Sequence, residues 1–216
     1  MFPSRTVRAA LSAVRCSAAG LAILAVALST PASADDASLR AADAAYTRGA
    51  LREAERLYEA ALAEPGNGRD DLVVIHVHLG ILAAAHGAER TARTHFAIAL
   101  ALDPHLPAPS ELAGRDRSRF EQERPREGLA LEAHVERAAE GVAAEGVEVV
   151  GHIEHAPAGL VHHLELRCQG ASAAVAPVGR DGRARLHTAR CEGPTIVARE
   201  SHGGVLAEAA VSEGAP

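Results

Sequence analysis

The chain has 216 residues, with 22 basic and 28 acidic side chains that give a formal net charge of −6 at neutral pH. This negative balance argues against nucleic acid and anionic membrane surfaces as partners, because either would require a basic face. The length allows one large domain or two small ones. The abundance of Ala, Gly, Pro and Arg is typical of a high-GC bacterial coding sequence.

Residues 1–34 have the pattern of a secretory signal peptide. Arginines without acidic residues precede an apolar run over 16–28, and Ala32-Ser33-Ala34 supplies a small-x-small cleavage site. The alternative is an uncleaved membrane anchor, but this run is shorter than the ~20 residues that span a bilayer. We therefore expect a periplasmic or secreted protein that begins at Asp35 and has no membrane span. Loss of the three signal arginines leaves 19 basic against 28 acidic residues, a net charge of −9.

Apolar spacing, with glycines at helix ends, predicts four helices and a fifth after Pro109. The predicted helices cover 37–48, 51–63, 71–86, 89–102 and 110–123. The third predicted helix has no polar face, which indicates burial on more than one side. Residues 105–128 are proline-rich and are predicted to be a linker that contains the fifth helix as a cap.

Two stretches repeat a helix-turn-helix pattern, with a step of 38 residues from Ala54 to Ala92. The second stretch carries Leu79-Gly80, Gly87, Ala92, Phe96, Ala99-Leu100 and Asp103-Pro104, a register that resembles a tetratricopeptide repeat. The first keeps Gly49, Ala54, Tyr58, Ala61-Leu62 and Pro65. Since the family period is about 34, we interpret residues 66–69 as a four-residue insertion between the repeats. The alternative is a plain array of helical hairpins with alanine-rich seams.

The resemblance covers roughly residues 36–104 and implies two repeats over 35–104, whose first helices line a concave groove. Such units bind other protein chains. The groove residues that the resemblance implies are Leu39, Asp43, Tyr46, Val74, Val77 and Ile81. The basic clamp that some family members use for a terminal carboxylate is absent, so an extended or helical apolar segment is the expected ligand.

From Leu129 onward the sequence consists of short segments that are rich in β-branched residues and alternate between apolar and polar positions. The predicted strands cover 129–135, 147–155, 160–168, 171–178, 183–188, 195–199 and 205–211. Their spacing suits a small antiparallel β-sandwich over 129–216 and looks like an immunoglobulin-like or fibronectin type III module, without the core tryptophan and tyrosine of those families. The predicted fold class is therefore α+β and multidomain, with N-terminal helical hairpin repeats followed by a small antiparallel β-sandwich.

Cys168 and Cys191 are the only cysteines that remain after signal cleavage. An even count in an oxidising compartment predicts a disulfide between them. The alternative is a reactive thiol or a metal ligand, but neither cysteine has a second ligand at the usual spacing.

Twelve histidines raise the alternative of a metal site. A hairpin closed by residues 156–159 would pair His152 with His163 and place both imidazoles, with Glu154, on one face. The competing interpretation is a solvated polar face of an amphipathic strand pair. The histidines of the predicted helices are interpreted as structural or solvent-facing.

No serine lies in a Gly-x-Ser-x-Gly setting, and no phosphate-binding glycine loop or His-Glu-x-x-His pair is present. The sequence thus predicts a non-enzymatic adaptor of the bacterial envelope that needs no cofactor and binds an envelope protein through its groove. Two alternatives remain open. One is a metal-binding protein or metal-dependent enzyme that uses the β-domain histidines, and the other is a purely structural envelope component whose groove is filled by its own linker.

Overall fold

The computed structural model describes residues 34–136, 146–189 and 192–212. Helices occupy the N-terminal half of these residues and antiparallel strands the C-terminal half, which confirms the predicted α+β class. The helices are α1 (Ala34–Thr47), α2 (Leu51–Leu62), α3 (Arg69–Ala85), α4 (Glu89–Leu102) and α5 (Gly114–Gln122). The strands are β1 (Ala130–Glu136), β2 (Gly146–Glu154), β3 (His163–Cys168), β4 (Ala171–Pro177), β5 (Arg183–Ala189), β6 (Thr195–Arg199) and β7 (Val205–Ala210). No helix among the described residues is long and apolar enough to cross a membrane.

The turn between α1 and α2 has the same conformation as the turn between α3 and α4. Gly49 and Gly87 take φ values of +77° and +75°, a region that glycine enters without steric cost. Ala50 and Ala88 follow with φ and ψ of −80° and 62°, and −80° and 66°. The N–H of each alanine donates to the carbonyl five residues earlier. The two turns therefore share one backbone geometry.

Helix α3 is buried on several sides, as its uniformly apolar sequence predicts. Ile75 and Leu79 join the apolar cluster of α1 and α2, whereas Leu72 belongs to the cluster shared with the sheets. On the α4 side, a Cβ atom at Gly80 would lie 2.4 Å from Cε1 of Phe96. A glycine at this position thus allows the phenyl ring to pack directly on the α3 backbone.

The strands form two antiparallel sheets, in the orders β1-β2-β5 and β4-β3-β6-β7. Gly151 of β2 lies against the second sheet. A Cβ atom at that glycine would be 2.4 Å from Cδ1 of Leu164 and 2.6 Å from Cδ1 of Ile196. The two sheets therefore face each other at Gly151, and their facing side chains contribute to one apolar core.

The predicted hairpin between β2 and β3 is wrong. His152 pairs with Glu132 and Arg183, whereas His163 pairs with Pro177 and Arg199, so the two histidines belong to different sheets. After β2 the chain crosses to the other sheet, where the N–H of His162 already donates to the carbonyl of Arg199 at 2.8 Å. The close face-to-face contact at Gly151 lets β2 lie over β3 instead of beside it.

The helices and the sheets are joined through the segment that the sequence marks as an insertion. The side-chain amide of Asn67 donates to the carbonyls of Ala61, at 2.8 Å, and Glu64, at 3.1 Å, and the backbone carbonyl of the same residue accepts the N–H of Val205 at 2.8 Å. The side chain of Asn67 thus caps the end of α2, and its backbone holds the start of β7 against the helices. The described residues from Ala34 onward belong to one compact unit.

The disulfide remains a prediction. Cys168 is the last residue of β3, and Cys191 lies outside the described residues. The predicted signal peptide likewise lies outside them, except for Ala34.

Candidate functional site

The six predicted groove residues fall into two groups by exposure. Val74 is 37% exposed, and Leu39, Asp43 and Tyr46 are half-buried. Val77 and Ile81 are each only 9% exposed and belong to the same apolar cluster as Leu112 of the linker. A partner therefore has access to the first group, whereas contact with Val77 or Ile81 requires displacement of the chain around them.

An aromatic cluster supports the accessible part of this face. The hydroxyl of Tyr58 donates to Oδ1 of Asp43 at 2.6 Å. The ring of His78 stacks on Tyr58 and meets Tyr46 edge-on, with both centroid distances at 4.8 Å. Burial, followed by the hydrogen bond and charge of Asp43, raises the pKa of Tyr58 well above its usual range, so this hydroxyl stays protonated and keeps Asp43 in place.

His78 completes the α3 side of the cluster. Its Nδ1 lies 2.9 Å from the carbonyl oxygen of Val74, one helical turn earlier, which fixes the ring beside that exposed valine. The position of His78 beside this face, and the support that Tyr58 gives it, were not predicted from the sequence. The spacing from Val74 to His78 was a usable signal, because residues four apart share a helix face.

The linker contributes to the apolar cluster beneath this face. Burial, followed by the negative charge of Glu111, raises the pKa of Tyr46. The neighbouring Leu112 is only 4% exposed. Leu112 of the linker is thus buried in the cluster against which Tyr46 also packs, whereas Val74 is exposed.

No protein-family model, curated protein or solved structure matches this chain.

The candidate metal ligands are not brought together. His152 lies in the first sheet, with Nδ1 3.4 Å from Oε1 of Glu154, while His163 lies in the second sheet. Across the described ranges, no group of three or more His, Cys, Asp or Glu side chains has an arrangement that would hold a metal ion. The proposed pairing of His152 with His163 is thus overturned by the sheet topology.

A different histidine pair lies between α3 and α4. Nδ1 of His76 and Nδ1 of His95 are 2.9 Å apart, so one ring donates and the other accepts. Burial, with a smaller contribution from His95, lowers the pKa of His76 to about 3, and burial also lowers the pKa of His95. Both rings are therefore neutral at neutral pH and act as a buried polar contact between the helices.

Two buried carboxylates in the β region serve the fold. Glu165 accepts a 2.6 Å hydrogen bond from Nε of Arg199 on the neighbouring strand. Glu200 accepts the backbone N–H groups of His202, at 2.8 Å, and Gly204, at 2.9 Å, which stabilises the turn between β6 and β7. Each carboxylate is thus held in place by hydrogen bonds from its own surroundings.

Proposed function

We propose that this protein is an exported, non-enzymatic adaptor of the bacterial envelope, which binds an apolar segment of a partner protein on the face formed by α1 and α3. The observation that carries this proposal is the exposed Val74 beside the Tyr46–His78–Tyr58 cluster. A partly exposed apolar residue next to rigid aromatic rings is a typical centre for a protein contact.

The repeated hairpin geometry supports the tetratricopeptide interpretation. The two turns match within a few degrees, and the helix residues that follow them are equivalently buried, as Ala54 and Ala92, and Tyr58 and Phe96, illustrate. In such an array the first helix of each hairpin lies on the concave side, and here those helices are α1 and α3. The contact between the sheets at Gly151 similarly supports a β-sandwich for the C-terminal half.

The partner contacts are proposed for Leu39, Asp43, Tyr46 and Val74. Val77 and Ile81 are nearly buried, so in this account they stabilise the fold beneath the contact surface. Burial of apolar area contributes about 25 cal/mol per Å² before the costs of association, which makes Val74 a candidate hot spot.

A purely structural envelope component is the second candidate. The observation that favours it is the burial of Leu112 of the linker in the apolar cluster that contains Val77 and Ile81 and against which Tyr46 packs. In that case the linker is the natural occupant of the groove and no partner binds there.

A matched pair of variants tests the adaptor proposal. Val74 and Leu51 are 37% and 38% exposed, but only Val74 lies on the α1–α3 face. We expect Val74→Asp to lose a specific partner from the native envelope fraction, whereas Leu51→Asp retains it, with unchanged helical circular dichroism in both. Equal capture by Val74→Asp and the unsubstituted protein would favour the structural candidate.

Export and the disulfide are parts of the same proposal. N-terminal sequencing of the protein recovered outside the cytoplasm should begin at Asp35, and Cys168 and Cys191 should give no free thiol in the folded protein. A loop of this size is expected to stabilise the fold by ~3 kcal/mol. An intact Met1 or two titratable thiols would contradict these expectations.

A further inference from the structure

A continuous surface cleft runs along α4, on the side of the helix that faces the β2–β3 connection. It consists of two adjoining cavities of about 560 and 590 Å³, which share Ala97, Glu123 and Pro157 as lining residues. We call it the α4 cleft. Cavities of this size are typical of sites that bind small ligands or short peptide segments.

Small apolar side chains predominate in one of the two cavities of the α4 cleft, and the junction of the cavities is lined by Ala97, Pro157 and Glu123. Ala97 and Ala101 come from α4, and Pro125, Ala156 and Pro157 come from the linker and the β2–β3 connection. His155, in the same connection, has a φ of +60°, which is uncommon for a residue other than glycine. Because alanine and proline side chains are short, an extended apolar segment can approach α4 closely in this part of the cleft.

Each carboxylate at the rim of the α4 cleft already has a basic partner. The pairs are Glu123 with Arg93 at 2.6 Å, Glu127 with His155 at 2.8 Å, and Glu89 with Arg119. These carboxylates are therefore poorly placed to receive a cationic ligand, because such a ligand would first have to displace an internal basic group.

Two arginines of the α4 cleft, one in each cavity, differ from these ion-paired side chains. Arg90 lines one cavity and Arg126 the other, and both are exposed. Neither guanidinium has an ion-pair or hydrogen-bond partner in the part of the chain that the structure describes. The cleft thus presents two unpaired cations in a protein whose overall charge is negative.

The length of the α4 cleft sets the length of the segment. From Arg90 to Ala101 the helix rises ~16 Å, at 1.5 Å per residue. An extended chain covers that distance in about five residues, at about 3.3 Å each.

We propose that the α4 cleft binds an extended segment of a partner protein, which carries apolar side chains between an acidic side chain at each end. Carboxylates at the two ends pair with Arg90 and Arg126, and the alanine and proline surface excludes water from the middle of the segment. This inference does not depend on the α1–α3 face.

Calorimetric titration with three synthetic peptides tests the proposal. The probe is acetyl-Glu-Ala-Val-Ala-Val-Glu-amide, and its two analogues carry Gln or Lys at both ends. With the protein recovered from its producing cells at low salt, the acidic peptide should bind about threefold to tenfold more tightly than the Gln peptide. The Lys peptide should bind most weakly. Equal affinities for the acidic and Gln peptides, or no binding of any peptide, would overturn the proposal.

Variants locate the binding to the cleft. Arg90→Gln and Arg126→Gln together should abolish the preference for the acidic peptide, whereas Arg52→Gln, an exposed arginine on α2, should leave it unchanged. Ala97→Leu should weaken the binding of both the acidic and the Gln peptide by filling the floor. A preference that survives the double arginine variant places the binding elsewhere and refutes the proposal. A dimer that is seen by light scattering and dissociated by Ala97→Leu would also refute the proposal, because a second copy of the chain would then cover the cleft.

Discussion

Replacement of Gly80 by alanine should destabilise the protein, although the same change stabilises most exposed helices. Alanine is favoured over glycine in a helix interior by ~1 kcal/mol. At this site the new Cβ would lie 2.4 Å from Cε1 and 2.6 Å from Cδ1 of Phe96. The ring of Phe96 is fully buried and packs edge-on against Phe120 at 5.3 Å, so it has little room to move.

Overpacking of a tight core costs about 1–3 kcal/mol, which exceeds the gain in helix propensity. We therefore expect Gly80→Ala to lower the free energy of unfolding by up to roughly 2 kcal/mol. Urea unfolding followed by circular dichroism at 222 nm measures this change. If the slope of the free energy of unfolding against urea concentration is unchanged, the compactness of the folded and unfolded states is preserved.

A double-mutant cycle separates the clash from other effects. Phe96→Leu alone should destabilise the fold because it removes a buried ring. In that background Gly80→Ala should become neutral or stabilising, since the ring that it meets is gone. If Gly80→Ala instead stabilises the protein with Phe96 in place, the close packing of α3 on α4 through this glycine is refuted.

Two further predictions concern buried polar groups. Burial lowers the pKa of His76 in the folded state to about 3. Below pH 6.5 the unfolded chain therefore binds a proton at this histidine that the folded chain does not bind. The free energy of unfolding should consequently fall by about 2 kcal/mol from pH 6.5 to 5. Urea midpoints across this range measure the fall, and a flat profile, or one that His76→Gln with His95→Gln leaves unchanged, would contradict the assignment. Asn67→Ala should lower the free energy of unfolding by about 1–3 kcal/mol in the same assay, because it removes both donors to the carbonyls of Ala61 and Glu64. A loss below ~0.5 kcal/mol would show that water replaces these donors.

The local elements of the fold could be predicted from the sequence, because local signals determine them. Glycines at positions 49 and 87 mark the two turns, and alternation marks the strands. The predicted strand from 160 begins in the structure only at His163, and the predicted helix from 110 begins at Gly114. These differences lie at element ends, where backbone hydrogen bonds are incomplete.

The pairing of strands could not be predicted from the same signals. Residues 156–159 contain the proline and glycine of a hairpin loop, but alternation is identical whether the next strand joins the same sheet or the opposite one. The choice depends on contacts between distant residues, such as Gly151 with Ile196. The predicted pairing of His152 with His163 was wrong for this reason.

The exposure of the predicted groove residues also depends on contacts between distant residues. The tetratricopeptide resemblance named Val74, Val77 and Ile81 alike, but Val74 is exposed whereas Val77 and Ile81 are nearly buried, in a cluster that includes residues far away in the sequence. The link from Asn67 to Val205 spans well over a hundred residues, and no local pattern indicates it. Long-range packing of this kind decides which apolar residues remain available to a partner.

Site-specific photocrosslinking tests the adaptor account most directly. A benzophenone side chain at position 74, introduced into the full-length protein in its native cells, should give one dominant crosslinked partner on mass spectrometry. The same group at position 51, with matched exposure on α2, should not crosslink to that partner. Crosslinks from position 74 that lead only to residues 105–113 of the same chain would contradict the account and assign the groove to the protein's own linker.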